Sequence, residues 1–317
     1  MFKSDRNTLI SLGLLSITFI ILFLTYNVGG SWSFALAFRG KKLVVLVLIA
    51  IAIATSTILF HTATQNRIIT PSIMGFDALF IFIQTVLLFF MGAIQFISFE
   101  GIAKFLVEMG VMVSVFLAMF YWLFLRGNRS VYLLALTGII LGIFFRSLVN
   151  FIFRILDPNS FAVLQSELFS SFNAVETNLI FIAAPMIIAC LFFVYLLRYK
   201  LEIIALGKNT AVALGVNYRA TVFAMLAIIA ILVAVSTALV GPITFFGLLV
   251  SHLAYQITKH QNHLNLIIIS SLIAICTLVG GQFIFEKLLN MQATLSIVIE
   301  CIGGITFLLI LMRAHKK

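Results

Sequence analysis

Ten apolar runs, most of them about twenty residues long, follow one another along the chain: 8–27, 42–62, 76–98, 108–125, 131–153, 178–198, 220–240, 243–258, 264–286 and 294–312. A helix of about twenty apolar residues crosses the hydrocarbon layer of a bilayer. Of the 317 residues, 63% are hydrophobic and only 9% are charged, where a soluble domain carries about 25% charged residues. No soluble core could bury that much apolar surface, so lipid must be the solvent. The expected fold is all-α: a polytopic membrane protein with about ten transmembrane helices in one bundle, forming a single domain over residues 1–317. The eighth run is short, bounded by Pro242 and by Lys259-His260.

A net charge of +10 raises the question of nucleic acid. The basic residues flank apolar runs instead, as orientation in a membrane requires, so the partner implied is lipid and no nucleic acid is expected. With both termini on one side, that side collects thirteen of the twenty Lys and Arg residues: Lys3, Arg6, Arg67, Arg126, Arg129, Arg198, Lys200, Lys208, Arg219, Lys259, Arg313, Lys316 and Lys317. The positive-inside rule places it in the cytoplasm. The acids Glu100, Glu108, Asp157, Glu167, Glu176 and Glu286 fall on the other side. The basic start and uncleaved first run read as a retained helix. Cys190, Cys276 and Cys301 all lie in apolar runs, with no metal spacing and no disulfide framework. Two non-spanning segments are long enough to matter, 154–177 outside and 199–218 inside.

Three motifs carry the function. The first is Gly241-Pro-Ile-Thr-Phe-Phe-Gly-Leu-Leu-Val-Ser-His252, where a Gly-Pro pair ends one run and opens the next. The second is Leu201-Glu-Ile-Ile-Ala-Leu-Gly-Lys-Asn-Thr-Ala-Val-Ala-Leu-Gly-Val-Asn217. It reads as a short helix, a break at Gly207, and another short helix capped by Asn209 or Thr210 and ended by Gly215 in a left-handed conformation. The third is Thr64-Gln-Asn-Arg-Ile-Ile-Thr-Pro-Ser-Ile-Met-Gly-Phe-Asp77. Together they resemble the GPIGFxGLxxPH, LGxxxAxxLGV and QxxxRNPLAxPxxLGxxxG segments of the FecCD-type permeases, the permease subunits of ABC importers for ferric siderophores, haem and cobalamin. Ser251 stands where that family usually has proline. The third segment follows the version associated with catecholate and mixed-ligand siderophores, with Asn66, Arg67, Pro71 and Gly75 at matching positions. Gly303-Gly304-Ile-Thr-Phe307 resembles the family's last helix.

The resemblance implies a ten-helix subunit of a bacterial cytoplasmic-membrane importer, in a homo- or heterodimer, with a second, related permease the favoured partner. It implies that Leu206, Gly207, Ala211, Leu214, Gly215 and Val216 dock into a cleft of a separate ABC ATPase subunit, which binds the ATP. An extracytoplasmic substrate-binding protein would deliver ferric siderophore, with haem or cobalamin as the alternative cargo. Basic residues that meet acids on that binding protein would be Arg39, Lys41 and Lys42, before the second span. The alternative for these three is snorkelling to headgroups.

Arg146 and Arg154, eight residues apart on one helix face, are candidates to line the translocation path for an anionic chelate. They are equally candidates to pair with Asp157 or Glu167. Glu300 is the deepest acid and a further path candidate, or a buried hydrogen-bonding group. Arg67 and Asp77 have the chemistry to pair or cap. His252 has no second metal ligand beside it.

No GxxxxGK[ST] loop, HExxH or GxSxG occurs, which argues against an ATPase, a metalloprotease or a serine hydrolase. An ion-coupled secondary transporter, with Glu300 or Asp77 as a proton site, is the rival reading; the docking-like segment and the lack of inverted broken-helix repeats speak against it.

Overall fold

The computed structural model describes residues 3–28, 30–126, 131–168, 177–258, 262–288, 298–305 and 312. Among these, every regular element is helical. They are α1 (Lys3–Thr25), α2 (Trp32–Thr64), α3 (Asp77–Ser98), α4 (Ile102–Phe120), α5 (Val131–Phe153), α6 (Pro158–Leu168), α7 (Thr177–Ala205), α8 (Lys208–Ala213), α9 (Tyr218–Val240), α10 (Phe246–Ile257) and α11 (His263–Phe283). Short π-helical turns cover Ser72–Phe76, Tyr121–Arg126 and Ile284–Leu288.

Among the described residues, eight helices are long and apolar enough to cross a membrane. The eighth run becomes α10, which has only 12 residues. At 1.5 Å per residue that is about 18 Å, well short of a hydrocarbon layer of about 30 Å. Of the tenth run, 294–312, only 298–305 and 312 lie among the described residues. Lys259 and His260 lie outside them.

Two helices run further than their apolar cores. α2 begins at Trp32, so Arg39, Lys41 and Lys42 stand within the helix rather than before it. α7 continues to Ala205, carrying Arg198, Lys200 and Glu202 past the apolar stretch. The first short helix expected in the 199–218 segment is thus the end of α7.

α9 and α2 form the centre of the bundle. In their apolar windows 72% and 67% of residues are buried, against 11% for α1. α2 packs on α7, α9, α10 and α11. Lipid tails are as apolar as these side chains, so association depends on close packing more than on expulsion of water. Small residues mark the closest crossings. A Cβ on Gly247 would lie 2.3 Å from the Thr57 hydroxyl, and one on Gly280 3.2 Å from the Phe19 ring. A crossing of backbone on backbone joins the Ser72–Phe76 turn to α5. There Gly75 adopts φ 111°. A Cβ on it would lie 2.8 Å from the Gly138 carbonyl oxygen and 3.0 Å from Gly142 Cα.

At the α2-start end, Arg39 closes α1. Its guanidinium donates to the carbonyls of Leu24 (3.1 Å), Tyr26 (2.8 Å) and Asn27 (3.2 Å), groups a helix end leaves unpaired. Lys42 is 7% exposed and donates to the Glu286 carboxylate.

Candidate functional site

Two places gather the residues singled out by sequence. One is the 199–218 segment at one end of the bundle. Gly207 (φ 96°, ψ 165°) breaks the chain after α7 and is itself the residue before α8. Asn209 and Thr210, expected as caps, lie inside that helix, and no side chain caps it. Gly215 adopts φ 79°. The Gly215 N–H donates to the Val212 carbonyl and the Val216 N–H to the Ala211 carbonyl, each at 3.0 Å. This reciprocal pair is the Schellman closure, which needs a left-handed residue at that point. Ala211 is fully buried against the bundle, while Leu206, Val212 and Leu214 are 58–63% exposed. The short helix therefore anchors by one small residue and presents apolar side chains outward, a surface suited to a protein partner. Asn217 then caps α9, accepting from the Ala220 N–H at 3.1 Å.

The second place is a polar cluster where two interrupted helices begin. α3 starts at Asp77, after the Ser72–Phe76 turn, and α10 starts after the Gly241–Phe245 loop. Asp77 is 2% exposed, and Oδ2 accepts from the Thr244 hydroxyl at 2.7 Å. Glu300 is half-buried within reach of the Thr244 amide, and Glu300 and Arg146 are the charged groups close enough to act on Asp77. A Cβ on Gly303 would meet Phe245 Cβ at 2.6 Å, so the 298–305 helix lies directly on this loop. The structure thus brings Glu300 to Asp77 and Thr244, whose meeting sequence reasoning missed, while Arg146 stands exposed on α5 and acts on Asp77 only as a charge at a distance.

The remaining candidates sit apart. Arg67 stacks on the Tyr255 ring at 4.3 Å, while Asp77 is bonded to Thr244. Arg154 is exposed just past α5. The acids suggested as partners for Arg146 and Arg154 are engaged elsewhere. Glu167 pairs with Lys104 at 3.0 Å. Asp157 caps α6, accepting from the N–H groups of Asn159 and Ser160 and, at 2.6 Å, from the Ser160 hydroxyl. That hydroxyl, with the two amides, holds the Asp157 carboxyl below the usual carboxylate range. Glu108 is not at the surface: it is 2% exposed inside α4 and accepts from Gln84 at 2.8 Å. Of the three basic residues expected to meet a binding protein, Arg39 and Lys42 serve contacts within the subunit, and Lys41 is exposed. The Gln256 amide lies 2.8 Å from His252 Nε2. Among the described residues no group of three His, Cys, Asp or Glu is placed to hold a metal ion.

The sequence matches the FecCD transport family over residues 8–313. It is 41% identical over 305 residues to the petrobactin import system permease YclO of Bacillus subtilis, covering 96% of each chain. It is 35% identical to the petrobactin import system permease FatC of Bacillus anthracis, covering 96% of this chain and 87% of that one. Among solved structures, a metal-chelate-type ABC transporter in an inward-facing conformation superposes with a TM-score of 0.79 at 22% identity, covering 98% of this chain and 99% of the other. That likeness establishes the fold.

Proposed function

The chain belongs to the FecCD transport family, and from that premise we propose that it is the permease subunit of an ABC importer that carries a ferric siderophore, ferric petrobactin first among them, across a bacterial cell membrane. The observation that carries this reading is the likeness, along almost the whole chain, to permeases named for petrobactin import. It is a multi-pass membrane protein of a family of transport subunits, which are not themselves enzymes. It makes and breaks no covalent bond. A partner ATPase hydrolyses ATP, a related second permease completes the channel, and a binding protein delivers the cargo at the outer face.

Both termini and the 199–218 segment face the cytoplasm in this account. Leu206, Gly207, Ala211, Leu214, Gly215 and Val216 form the surface for the ATPase, supported by the outward apolar side chains of α8 and its flanks. Lys41 is the outer residue best placed to meet acids of the binding protein. Arg146, Arg154 and Glu300 border the path. ATP binding favours one permease conformation by holding α8 more tightly in that state, since a ligand shifts an equilibrium only by its difference in affinity for the two states.

Growth tests this directly. A strain lacking the chain is expected to fail in iron-limited medium with ferric petrobactin as sole iron source, to recover when the chain is restored, and to grow on haem throughout. Normal growth of the deletion strain on ferric petrobactin, with other uptake routes removed, would overturn the cargo; loss of growth on haem instead would move the assignment to haem.

A further inference from the structure

In the last turn before α8, the chain is laced to two other helices. A helix end leaves its last carbonyls without partners, and a helix start leaves its first N–H groups without them. Here side chains from neighbouring helices fill those vacancies. The Gln65 amide donates to the carbonyls of Ile204 (3.0 Å) and Ala205 (3.3 Å) at the end of α7. One Glu202 oxygen accepts from the His263 N–H at the start of α11, at 2.7 Å, and the other lies 2.8 Å from His263 Nδ1. The far ring nitrogen, Nε2, lies 3.0 Å from the Thr62 hydroxyl of α2. That hydroxyl already donates to the Ile58 carbonyl at 2.9 Å.

The location gives this lacing a consequence. Glu202, Ile204 and Ala205 stand immediately before the Gly207 break. They fix the last turn of α7, the base on which α8 packs. Thr62 and Gln65 end α2, Gln65 in a left-handed conformation (φ 56°, ψ 26°) that turns the chain back toward α7. From Gln65 the chain runs straight into the Ser72–Phe76 turn and Asp77. α2 and α11 also pack on each other. A displacement of α8 passed to the end of α7, on which it packs, would meet α2 and α11 through these contacts. Coupling between distant sites needs such a contiguous, switchable set of contacts.

We infer that Glu202, His263 and Gln65 are positioning residues for energy coupling: they fix the ATPase-facing segment to α2 and α11, so that ATP-driven motion moves those helices. The inference rests on the reading of the chain as an importer permease.

The test uses the whole importer in proteoliposomes, with this chain, its partner permease, the ATPase and the binding protein. Entry of radio-iron as ferric petrobactin and hydrolysis of ATP are measured in the same vesicles. For Glu202→Gln, His263→Ala and Gln65→Ala, transport per ATP hydrolysed should fall about threefold to thirtyfold. The double variant Glu202→Gln/His263→Ala should fall within about twofold of the worse single one, because the two act as one link. Transport and hydrolysis declining in proportion would mark a merely structural contact and overturn the inference. So would a double variant whose loss is the product of the single losses. A parent importer that couples normally, beside variants that couple equally well, would sink this inference alone. A parent that neither transports ferric petrobactin nor answers the binding protein with hydrolysis would sink the importer reading, and the inference with it.

Discussion

Replacing Gly75 by alanine should damage this fold through backbone strain and overpacking together. Gly75 sits at φ 111°, ψ 3°, in a region L-residues avoid. Holding alanine there costs about 1–3 kcal/mol. The new methyl would also lie 2.8 Å from the Gly138 carbonyl oxygen, 3.0 Å from Gly142 Cα and 3.1 Å from Gly142 N. All three are backbone atoms, so no side chain can swing aside, and overpacking of this kind adds about 1–3 kcal/mol. The sum is about 2–6 kcal/mol, a large part of a folded protein's margin of about 5–15 kcal/mol. Gly215 supplies the control. It too has a positive φ, 79°, in the left-handed closure of α8, but a Cβ there meets nothing within 4 Å. Gly215→Ala should show the conformational cost alone, about 1–3 kcal/mol. Thermal unfolding of the detergent-purified protein reads the difference. At about 2–4 °C per kcal/mol, Gly75→Ala should melt roughly 2–12 °C below Gly215→Ala. Equal melting temperatures, or a milder effect at Gly75, would refute the contact between the Ser72–Phe76 turn and α5.

Three further substitutions test other contacts. Lys42→Met strands the half-buried Glu286 carboxylate and should destabilise by about 1–3 kcal/mol; the double variant with Glu286→Leu should recover most of the melting temperature. Thr244→Val removes the donor to the buried Asp77 carboxyl, so it should cost about 1–3 kcal/mol and slow iron uptake in cells carrying wild-type amounts of the protein. Asp157→Ala should fray α6, seen as faster hydrogen exchange at the Asn159 and Ser160 amides. Because folding lowers the Asp157 pKa, its contribution is fully present above the ordinary carboxylate value of about 4. That contribution is lost as pH falls through the lowered folded value, so the wild-type amides should approach the variant's behaviour only in acid.

The sequence made the helices legible where hydropathy and helix end together. The run 131–153 coincides with α5. It misled where a helix outlasts the membrane. Arg39, Lys41 and Lys42, like Arg198, Lys200 and Glu202, end the apolar pattern but are good helix formers, so α2 and α7 continue through them. Spacing alone marked Gly207 and Gly215, because each must adopt a backbone conformation other residues avoid. The Asp77–Thr244 contact, across 167 residues, leaves no periodic trace in a single sequence. Nor does Glu202 with His263. Gly138 and Gly142 lie against Gly75, but nothing local in the sequence names Gly75 as their partner.

Uptake of radio-iron as ferric petrobactin, in cells with and without the chain and competed by haem and by cobalamin, tests the proposed function. Deletion should abolish uptake, neither competitor should reduce it, and the intact chain should restore it. A Gly215→Arg variant that reaches the membrane in wild-type amounts should not restore it. Undiminished uptake of ferric petrobactin by the deletion strain would contradict the account.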